Sequence, residues 1–347
     1  MTLLTETDRG LYCETGDFYI DPWKPVKRAI VTHAHADHAR WGCQSYLAAK
    51  TGAAIFRMRL GAQPDYQFVP FGQQVSVNGV HVSLHPAGHM TGSAQIRVEH
   101  KGEVWVVSGD YKRESDATCE PFEPIRCHTF VTESTFGLPI YRWPNPWEVF
   151  SEIDHWWREN QQSGRTSVLF GYTVGKAQRL LSGIDASIGP IFGHGAVLKA
   201  CDAYRQCGVV LPTLASAMSV DKGYDWSKAL VVAPPSARGS TWLRRFGNVS
   251  LGMASGWMRI RGVRRRRVVD RGFVLSDHVD WLGLMQTIRE TQASSVWVTH
   301  GYTHQVVQHL VHLGIDARVV NTQFRGELES ESESEELPEE VDSERRQ

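Results

Sequence analysis

A short segment near the N-terminus places four potential metal ligands within six residues. These residues, His33, His35, Asp37 and His38, directly follow an apolar, β-rich run at residues 29–32. Imidazole and carboxylate groups at this density suit zinc or a related divalent ion. The small residues Ala34 and Ala36 allow the loop to curl so that its ligands face two points rather than one. The segment therefore predicts a metal site, because a purely structural role would need four such residues together with no shared task.

Two further candidate ligands are His89 and Asp110. Glycines stand on both sides of His89 and allow a tight backbone around a ligand. Asp110 follows the apolar run at residues 104–107. Taken alone, His89 has an ordinary interpretation as a loop residue and Asp110 as a turn former. Beside the first cluster both become candidates, because two ions need more ligands than that cluster supplies.

The first part of the chain has the pattern of a sheet. Short β-rich runs between turns predict strands at residues 17–20, 29–32, 74–77, 80–84, 94–99 and 103–108. The pairs Asn78-Gly79 and Lys101-Gly102 are typical of hairpin turns. We interpret this part as an antiparallel meander that supplies one layer of a sheet.

The pattern changes at Pro146, after which helical and strand-like segments alternate. The spacing of apolar residues predicts helices at residues 147–160, 176–181 and 196–207, with strands at 167–171, 188–192 and 230–233. Such alternation predicts a small parallel α/β insert. The chain then returns to strands at residues 273–276 and 295–299, with helices at 281–290 and 303–313.

Charge is distributed unevenly along the 347 residues, which hold 37 basic and 38 acidic side chains. Residues 326–347 contain ten of the acidic and two of the basic residues, which leaves a body with a net charge of about +7. That charge favours a polyanionic partner. We expect the acidic tail to be disordered, because it has little apolar surface to bury. It is either a solubilising extension or a competitor for a basic groove.

The expected compartment is the cytoplasm. The six cysteines form no C-x-x-C pair and are too few for a disulfide scaffold, so we interpret them as reduced packing residues. The N-terminal stretch lacks the basic and apolar regions of a signal peptide, and no apolar run is long enough for a membrane span. We therefore expect no membrane partner.

The order of the motifs resembles a known family. The H-x-H-x-D-H segment at 33–38, the glycine-flanked His89 and Asp110 at a strand end resemble the metallo-β-lactamase fold. Segments 131–137, 170–178, 275–278 and 298–301 are similar to motifs of the β-CASP nuclease insert. The whole chain most closely resembles the bacterial ligase-associated DNA exonucleases, a likeness that residues 255–262 and the following arginines strengthen.

This resemblance implies an α/β fold, namely an αββα metallo-β-lactamase sandwich with an inserted β-CASP cap. The implied domains are residues 1–137 and 271–325 for the sandwich, 138–270 for the insert and 326–347 for the tail. The resemblance also implies two divalent metal ions, Zn²⁺ or Mn²⁺. One would be held by His33, His35 and His89, the other by Asp37, His38 and His300, with Asp110 between them.

Further roles follow from the same resemblance. His278 would protonate the leaving oxygen, and Glu133 would hold the His278 ring. Asp37 is assigned to catalysis as well as to metal binding. Asp21 would orient a ligand from behind, although a turn before Pro22 is an alternative. A basic set would contact nucleic acid, or would form a solvated face: Lys176, Arg259, Arg261, Arg264, Arg265, Arg266 and Arg267.

The implied function is a DNA exonuclease of DNA repair that hydrolyses phosphodiesters by attack of a metal-bound hydroxide. The family name also implies a DNA ligase and a helicase as partners. His300 favours the alternative of an RNA-processing nuclease, because family members that act on RNA often carry histidine at this position. A third hypothesis is an inactive nucleic-acid-binding scaffold, which the complete set of ligands disfavours.

Overall fold

The computed structural model describes residues 2–221, 223–260, 262 and 269–322. The helices are α1 (Ala53–Leu60), α2 (Pro146–Gln162), α3 (Lys176–Gly183), α4 (Gly195–Gln206), α5 (Trp281–Thr291) and α6 (Thr303–His312). Short 3-10 helices lie at Lys50–Gly52, Trp226–Lys228, Pro235–Ala237, Thr241–Phe246 and Gly256–Arg259. The strands are β1 (Thr5–Thr7), β2 (Gly10–Cys13), β3 (Phe18–Ile20), β4 (Arg28–Ile30), β5 (Ser45–Ala49), β6 (Asp65–Val69), β7 (Gln74–Val77), β8 (Val80–Pro86), β9 (Ala94–His100), β10 (Glu103–Val107), β11 (Thr129–Ser134), β12 (Thr166–Phe170), β13 (Ile191–Gly193), β14 (Ala215–Ser216), β15 (Leu230–Ala233), β16 (Val249–Ala254), β17 (Arg271–Phe273), β18 (Ser295–Gly301) and β19 (Asp316–Val319).

Two of the three sheets pack face to face. The first has the order β1-β2-β3-β4-β5-β6 and the second has the order β19-β18-β11-β10-β9-β8-β7. One core cluster joins them, since it holds Phe18 and Ile30 of the first sheet and Ile96 and Val131 of the second. Helix α1 packs on the outer face of the first sheet, and α5 and α6 pack on the outer face of the second. The mixed α/β class is confirmed, and this order of layers agrees with the predicted αββα sandwich.

The predicted meander is confined to strands β7 to β10, which pair antiparallel in sequence order. Its hairpin turns have left-handed backbones, with φ of 49° and 83° at Asn78 and Gly79 and of 50° and 82° at Lys101 and Gly102. The expectation was wrong for residues 17–20 and 29–32, which form β3 and β4 in the other sheet and pair in parallel. Local alternation of apolar residues predicts a strand but carries no information about its partner.

The third sheet has the order β14-β13-β15-β12-β16-β17, and all of its strands pair in parallel. This agrees with the α/β insert expected after Pro146. Helix α2 begins where Pro146 occupies its first turn and the side chain of Asn145 accepts a hydrogen bond from the Trp147 backbone, as at favourable helix N-termini. Strand β17 lies just after the expected boundary at residue 270 yet pairs with β16. The domain boundaries and the description of this unit as a β-CASP cap remain predictions.

Several elements differ from the sequence-based expectation. Helix α1 and strands β5 and β6 were not predicted, and the strand expected at residues 188–192 is Ile191–Gly193. The strand expected at 273–276 ends at Phe273. Residues 274–276 leave the sheet, and the carbonyl of Ser276 accepts a hydrogen bond from Arg179. A tertiary contact therefore replaces strand pairing at this point.

All six cysteines are free thiols, and four of them are buried, as expected for packing residues. In the part of the chain that the structure describes, no helix is both long enough and apolar enough to cross a bilayer. The cytoplasmic location remains a prediction.

Candidate metal centre

The candidate ligands lie in loops that follow the C-terminal ends of strands. Residues 31–38 follow β4, His89 follows β8, Asp110 follows β10, and His300 lies near the end of β18. Polar side chains delivered from neighbouring strand ends converge on one edge of a sheet. The structure accordingly brings seven predicted residues from four loops to the wall of one cavity or directly behind it.

One group of possible ligands consists of His33, His35, His89 and Asp110. Nδ1 of His35 lies 3.0 Å from Nε2 of His33 and 3.2 Å from Nε2 of His89. An Oδ2 atom of Asp110 lies 3.6 Å from Nε2 of His33 and 3.9 Å from Nε2 of His89. Zinc–nitrogen bonds of about 2.0–2.1 Å at tetrahedral or octahedral angles separate ligand nitrogens by roughly 3.0–3.4 Å. The nitrogen spacing therefore fits a divalent ion.

A second group consists of Asp37, His38 and Asp110. Nε2 of His38 lies 3.4 Å from Oδ2 of Asp110 and 3.7 Å from Oδ2 of Asp37. This nitrogen is buried and has no hydrogen-bond partner among the described residues. A buried polar atom without a partner is costly, and a cation between these three groups would satisfy it. Asp110 is common to both groups, as the predicted bridging role requires.

The electrostatics of His33, His89 and Asp110 suit metal binding, whereas at His38 burial would lower the pKa but Asp110 and Asp37 raise it well above its usual range. Burial lowers the pKa of His33 and His89 well below its usual range, and neighbouring histidines add to the effect. These imidazoles are therefore neutral near pH 7, as a metal ligand must be. Burial would raise the pKa of Asp110, but His38 and His278 lower it well below its usual range. The shared carboxylate is consequently ionised.

Three contacts orient the ligand rings. Nδ1 of His38 lies 2.7 Å from Oδ2 of Asp21, and Nδ1 of His89 lies 2.7 Å from the carbonyl oxygen of Asp277. Nε2 of His35 lies 3.0 Å from the carbonyl oxygen of Val174. In each case an acceptor behind the ring favours a proton on that nitrogen, which leaves the opposite nitrogen to face the centre. Asp21 lies behind the His38 ring, and its role in orienting a metal ligand remains a prediction.

Glu133 and His278 form a buried pair beside the centre. Nδ1 of His278 lies 2.8 Å from Oε2 of Glu133, and the two residues are 3% and 1% exposed. The other oxygen of Glu133 accepts a hydrogen bond of 2.8 Å from the backbone N–H of Tyr111. Burial raises the pKa of Glu133, while His278 acts in the opposite direction. The arrangement is that of an imidazole held by a carboxylate, and the catalytic roles of the two residues remain predictions.

His300 lies at the same cavity but outside the second ligand group. Its backbone has a left-handed φ of 50°, at the point where the pairing of β11 with β18 becomes irregular. Its Nδ1 lies 3.0 Å from Oγ1 of Thr299, and the centres of its ring and the His38 ring are 5.5 Å apart. Its assignment as a ligand remains a prediction.

A buried ionic network lies behind the centre, and its extent was not foreseen. Lys176 is 1% exposed and its Nζ lies 2.8 Å from Oδ2 of Asp277. Arg179 bonds Oδ1 of Asp277 at 2.9 Å and lies 3.3 Å from Asp116, which also pairs with the buried Lys112 at 2.7 Å. The burial of Lys176 argues against its predicted contact with nucleic acid, because its charge is already matched inside the protein. No sequence motif identified Lys112 or Asp116 as members of this network.

The other predicted nucleic-acid contacts are mostly beyond the described residues. Arg261, Arg264, Arg265, Arg266 and Arg267 lie outside them, as does the acidic tail after residue 322. Arg259 is exposed, and its Nε donates to the carbonyl of Ile140 at 3.4 Å. Of three aromatic residues near the arginine-rich segment, Phe246 and Trp257 are buried core residues, whereas Trp242 lines the cavity.

The cavity itself has a volume of about 480 Å³ and reaches from the ligand loops to the third sheet. His35, Asp37 and His278 form part of one wall. The start of α4 and residues between 234 and 242 form part of the opposite wall. Residues of the two-sheet sandwich and residues of the third-sheet unit therefore both line the cavity.

The chain is similar to relatives of two kinds, one with a name that refers to DNA ligase and one with a name that refers to endoribonuclease. It is 32% identical over 323 residues to "Probable DNA ligase" of Opitutus terrae, which covers 92% of this chain and 31% of that protein. It is 28% identical over 123 residues to "Endoribonuclease ysh1" of Aspergillus fumigatus, which covers 32% of this chain and 14% of that protein. These relatives support the metallo-β-lactamase/β-CASP family. They support no single branch of it.

The chain spans less than a third of the length of either relative, and no family model matches it. A crystal structure of a protein of unknown function from Enterococcus faecalis V583 aligns with a TM-score of 0.56 at 11% identity. The alignment covers 86% of this chain and 80% of that one, and it shows similarity of fold alone.

Proposed function

We propose that this protein is a metal-dependent phosphodiesterase that cleaves nucleic acid. The observation that carries the proposal is the pairing of two ligand groups through Asp110, next to the Glu133–His278 pair, at one cavity. Two metal sites joined in this way are typical of enzymes that hydrolyse phosphate esters. A small-molecule hydrolase would need no proton donor for a nucleotide leaving group and no basic body.

In this proposal the ligand groups define two ion sites. His33, His35 and His89 hold one ion, and Asp37 and His38 hold the other with help from His300, while Asp110 serves both. Bound Zn²⁺ or Mn²⁺ would supply Lewis-acid chemistry, namely activation of water and neutralisation of charge on the phosphate. The chain's own part is to fix the ligand rings, and the carbonyl of Asp277 and the carboxylate of Asp21 do so at 2.7 Å each.

His278 is proposed to protonate the leaving oxygen. Its Nδ1 is engaged by Glu133 at 2.8 Å, so Nε2 is the atom that can carry a proton to the substrate. The carboxylate stabilises the protonated ring and holds its orientation, while the Tyr111 backbone fixes the carboxylate in turn. Histidine suits this task because its ordinary pKa lies close to neutral pH.

We propose DNA, cleaved from an end during repair, as the substrate. The relative whose name refers to DNA matches 92% of the chain, whereas the endoribonuclease matches 32%. Support that extends over most of the chain therefore favours DNA. A DNA ligase is the proposed partner, because the matched part of that relative is less than a third of a longer protein.

An RNA-processing nuclease is the second candidate. It is favoured by relatives whose names refer to ribonuclease activity, such as "Endoribonuclease ysh1", and by the presence of His300 at the cavity. Both candidates use the same residues and the same ions, so the difference between them concerns only the strand that the cavity accepts.

A degradation assay with end-labelled DNA and RNA of matched sequence, with Mn²⁺ or Zn²⁺ added, tests both candidates. We expect cleavage of DNA from an end and loss of cleavage in the double variant Asp37→Ala, His38→Ala. Cleavage that survives in this variant would refute the proposed centre. Preferential cleavage of RNA would refute the DNA assignment alone, and metal-loaded protein that cleaves neither would favour the scaffold hypothesis.

A further inference from the structure

Helix α1 brings a cation to the wall of the cavity, where the carboxylate of Asp37 is a neighbouring charge. Arg59 lines the same cavity as Asp37 and His278. Its Nε atom is buried and has no hydrogen-bond partner within the described part of the chain, although the side chain as a whole is only half-buried. A buried N–H without an acceptor is costly, and guanidinium remains charged under ordinary conditions. Arg59 therefore places a positive charge at the cavity wall, where it can attract an anionic oxygen of a ligand.

Helix α4 brings a second cation to the same cavity. Lys199 is exposed, lines the cavity, and forms no ion pair with the residues that the structure describes. The start of the same helix, at Ala196, also reaches the cavity, and the partial positive charge of a helix N-terminus adds to that of the lysine. Lys199 belongs to the third-sheet unit, whereas Arg59 belongs to the first-sheet layer.

The packing of the two helices against each other fixes the relative positions of the segments that carry Arg59 and Lys199. Ile55 and Phe56 of α1 belong to the same core cluster as Ala203 and Tyr204 of α4. The two cations are thus presented by rigid elements that are packed against each other.

The size of the cavity limits the form of the ligand. A volume of about 480 Å³ lies in the range that encloses one drug-sized molecule. That space admits one or two nucleotides of an unpaired strand but not a duplex. The half-buried Trp242 on the wall offers a surface on which a base can stack.

We propose that Arg59 and Lys199 form a phosphate subsite that holds a single-stranded segment of the nucleic-acid substrate beside the metal centre. This inference rests on the proposed function and specifies the form of its substrate. The metal ligands would hold the phosphate that is cleaved, and the two cations would hold a neighbouring phosphate of the same strand. Neither residue needs to take part in proton transfer.

Binding of fluorescent single-stranded oligonucleotides of about 12 nucleotides, DNA and RNA of matched sequence, tests the subsite. All proteins carry His278→Ala to slow cleavage and are loaded with Mn²⁺, and gels verify that the oligonucleotides stay intact. We expect Arg59→Gln and Lys199→Gln each to weaken binding on the order of tenfold. Each should also reduce the slope of log affinity against log salt by about 0.7, the value for one phosphate contact on a single strand.

Matched controls remove the same charges elsewhere. Arg57→Gln lies on α1 but outside the cavity, where the guanidinium stacks over Phe68 at 5.0 Å. Lys228→Gln removes an exposed lysine that does not line the cavity. Both controls should leave the salt slope unchanged, and thermal unfolding midpoints should verify that every variant folds. Arg59→Lys, which keeps the charge, should retain most of the slope.

The outcomes separate the subsite from the proposed function. Salt slopes that are equal in the His278→Ala parent and in its Arg59→Gln and Lys199→Gln variants would overturn the subsite, even if the wild-type enzyme cleaves DNA. Absence of oligonucleotide binding would overturn it as well. Reduced slopes in a protein that cleaves neither DNA nor RNA would support the subsite while refuting the nuclease proposal.

Discussion

The contact between Asp21 and His38 shows how one residue behind a ligand can control it. Asp21 accepts hydrogen bonds of 2.8 and 2.7 Å from the backbone and hydroxyl of Thr32. These bonds hold its carboxylate 2.7 Å from Nδ1 of His38. The carboxylate thereby favours the tautomer in which Nε2 of His38 has a lone pair to offer. Its left-handed φ of 42° is uncommon for a residue other than glycine.

We predict that Asp21→Asn weakens metal binding about 10–100-fold, the usual effect of losing a partner behind a ligand. The amide can still accept from Thr32, but its NH₂ group then faces the Nδ1–H of His38. Competition with a chromophoric chelator measures the affinity. Asp17→Asn is the matched control, since Asp17 also has a positive φ, of 50°, and its carboxylate accepts a hydrogen bond from the Tyr12 hydroxyl. Equal affinities in the two variants would contradict the role of Asp21.

A second prediction at the residue scale concerns the Glu133–His278 pair. Glu133→Gln should lower kcat on the order of 100–10,000-fold, the usual contribution of general acid catalysis, with the metal content unchanged. The amide can still accept from the Tyr111 backbone but cannot stabilise a protonated His278. Because the two residues act as a unit, Glu133→Gln combined with His278→Ala should be no slower than His278→Ala alone. Additive losses in kcat would show that the residues act independently.

Among the elements, the loop that carries His89 packs unusually closely on the start of α1. Gly92 has a φ of 77° and lies close to Gly52. A Cβ atom at Gly92 would lie 2.3 Å from the Cα and N atoms of Gly52. The restriction is stronger at Gly92, because a Cβ atom at Gly52 would lie 3.2 Å from the Gly92 Cα atom. The crossing ties His89 to the same helix that carries Arg59.

We predict that Gly92→Ala destabilises the protein more than Gly79→Ala does. Gly79 has a similar φ of 83° but open space around its Cβ position, so its substitution costs about 1 kcal/mol for the backbone alone. Gly92→Ala should cost roughly 1–3 kcal/mol more because of overlap with Gly52. Denaturant unfolding of the two variants measures the difference. Equal losses would show that the contact relaxes freely.

Across the whole molecule, the ionic network joins the third-sheet unit to the ligand loops. Arg179 of α3 contacts Asp277 in the loop before α5 and Asp116 in the segment after β10. Nζ of Lys112, paired with Asp116, also lies 3.5 Å from the carbonyl oxygen of His89. Movement of α3 would therefore disturb both the carbonyl that orients His89 and the loop of His278.

We predict that Asp116→Asn lowers the free energy of unfolding by about 3–5 kcal/mol near pH 7, because it leaves buried cations unmatched. Burial would raise the pKa of Asp116, but Lys112 and Arg179 lower it below the ordinary 3.8. An acid with a lowered pKa stabilises the fold above its unfolded pKa and loses that effect as the pH falls. The difference between wild type and variant should therefore be constant from about pH 7 to 5 and shrink below about pH 4.

Urea unfolding of both proteins in excess chelator measures this dependence without a contribution from acid-driven loss of metal. Asp185→Asn is a suitable control, since Asp185 pairs with Arg158 on the exposed surface. Exposed pairs contribute at most about 1 kcal/mol. A wild-type–variant difference for Asp116 that grows as the pH falls would contradict the assigned direction of the pKa shift.

Local sequence was sufficient to predict many elements of the fold. The hairpin turns at Asn78-Gly79 and Lys101-Gly102 and the helix that begins at Pro146 depend on backbone preferences of the residues themselves. The sheet to which residues 17–20 and 29–32 belong was not predictable, since pairing depends on segments distant in the chain. Helix α1 was missed although it contributes Arg59 to the cavity wall.

The ligand cluster at His33–His38 and the prediction of a metal site came from the sequence itself, because residue chemistry at close spacing leaves few other uses. Only the tertiary structure decided that Asp110 is shared by two ligand groups, that Lys176 is a buried partner of Asp277, and that Arg59 and Lys199 reach one cavity. These features depend on distances between residues far apart in the chain, and such distances are set by the packing of sheets and helices.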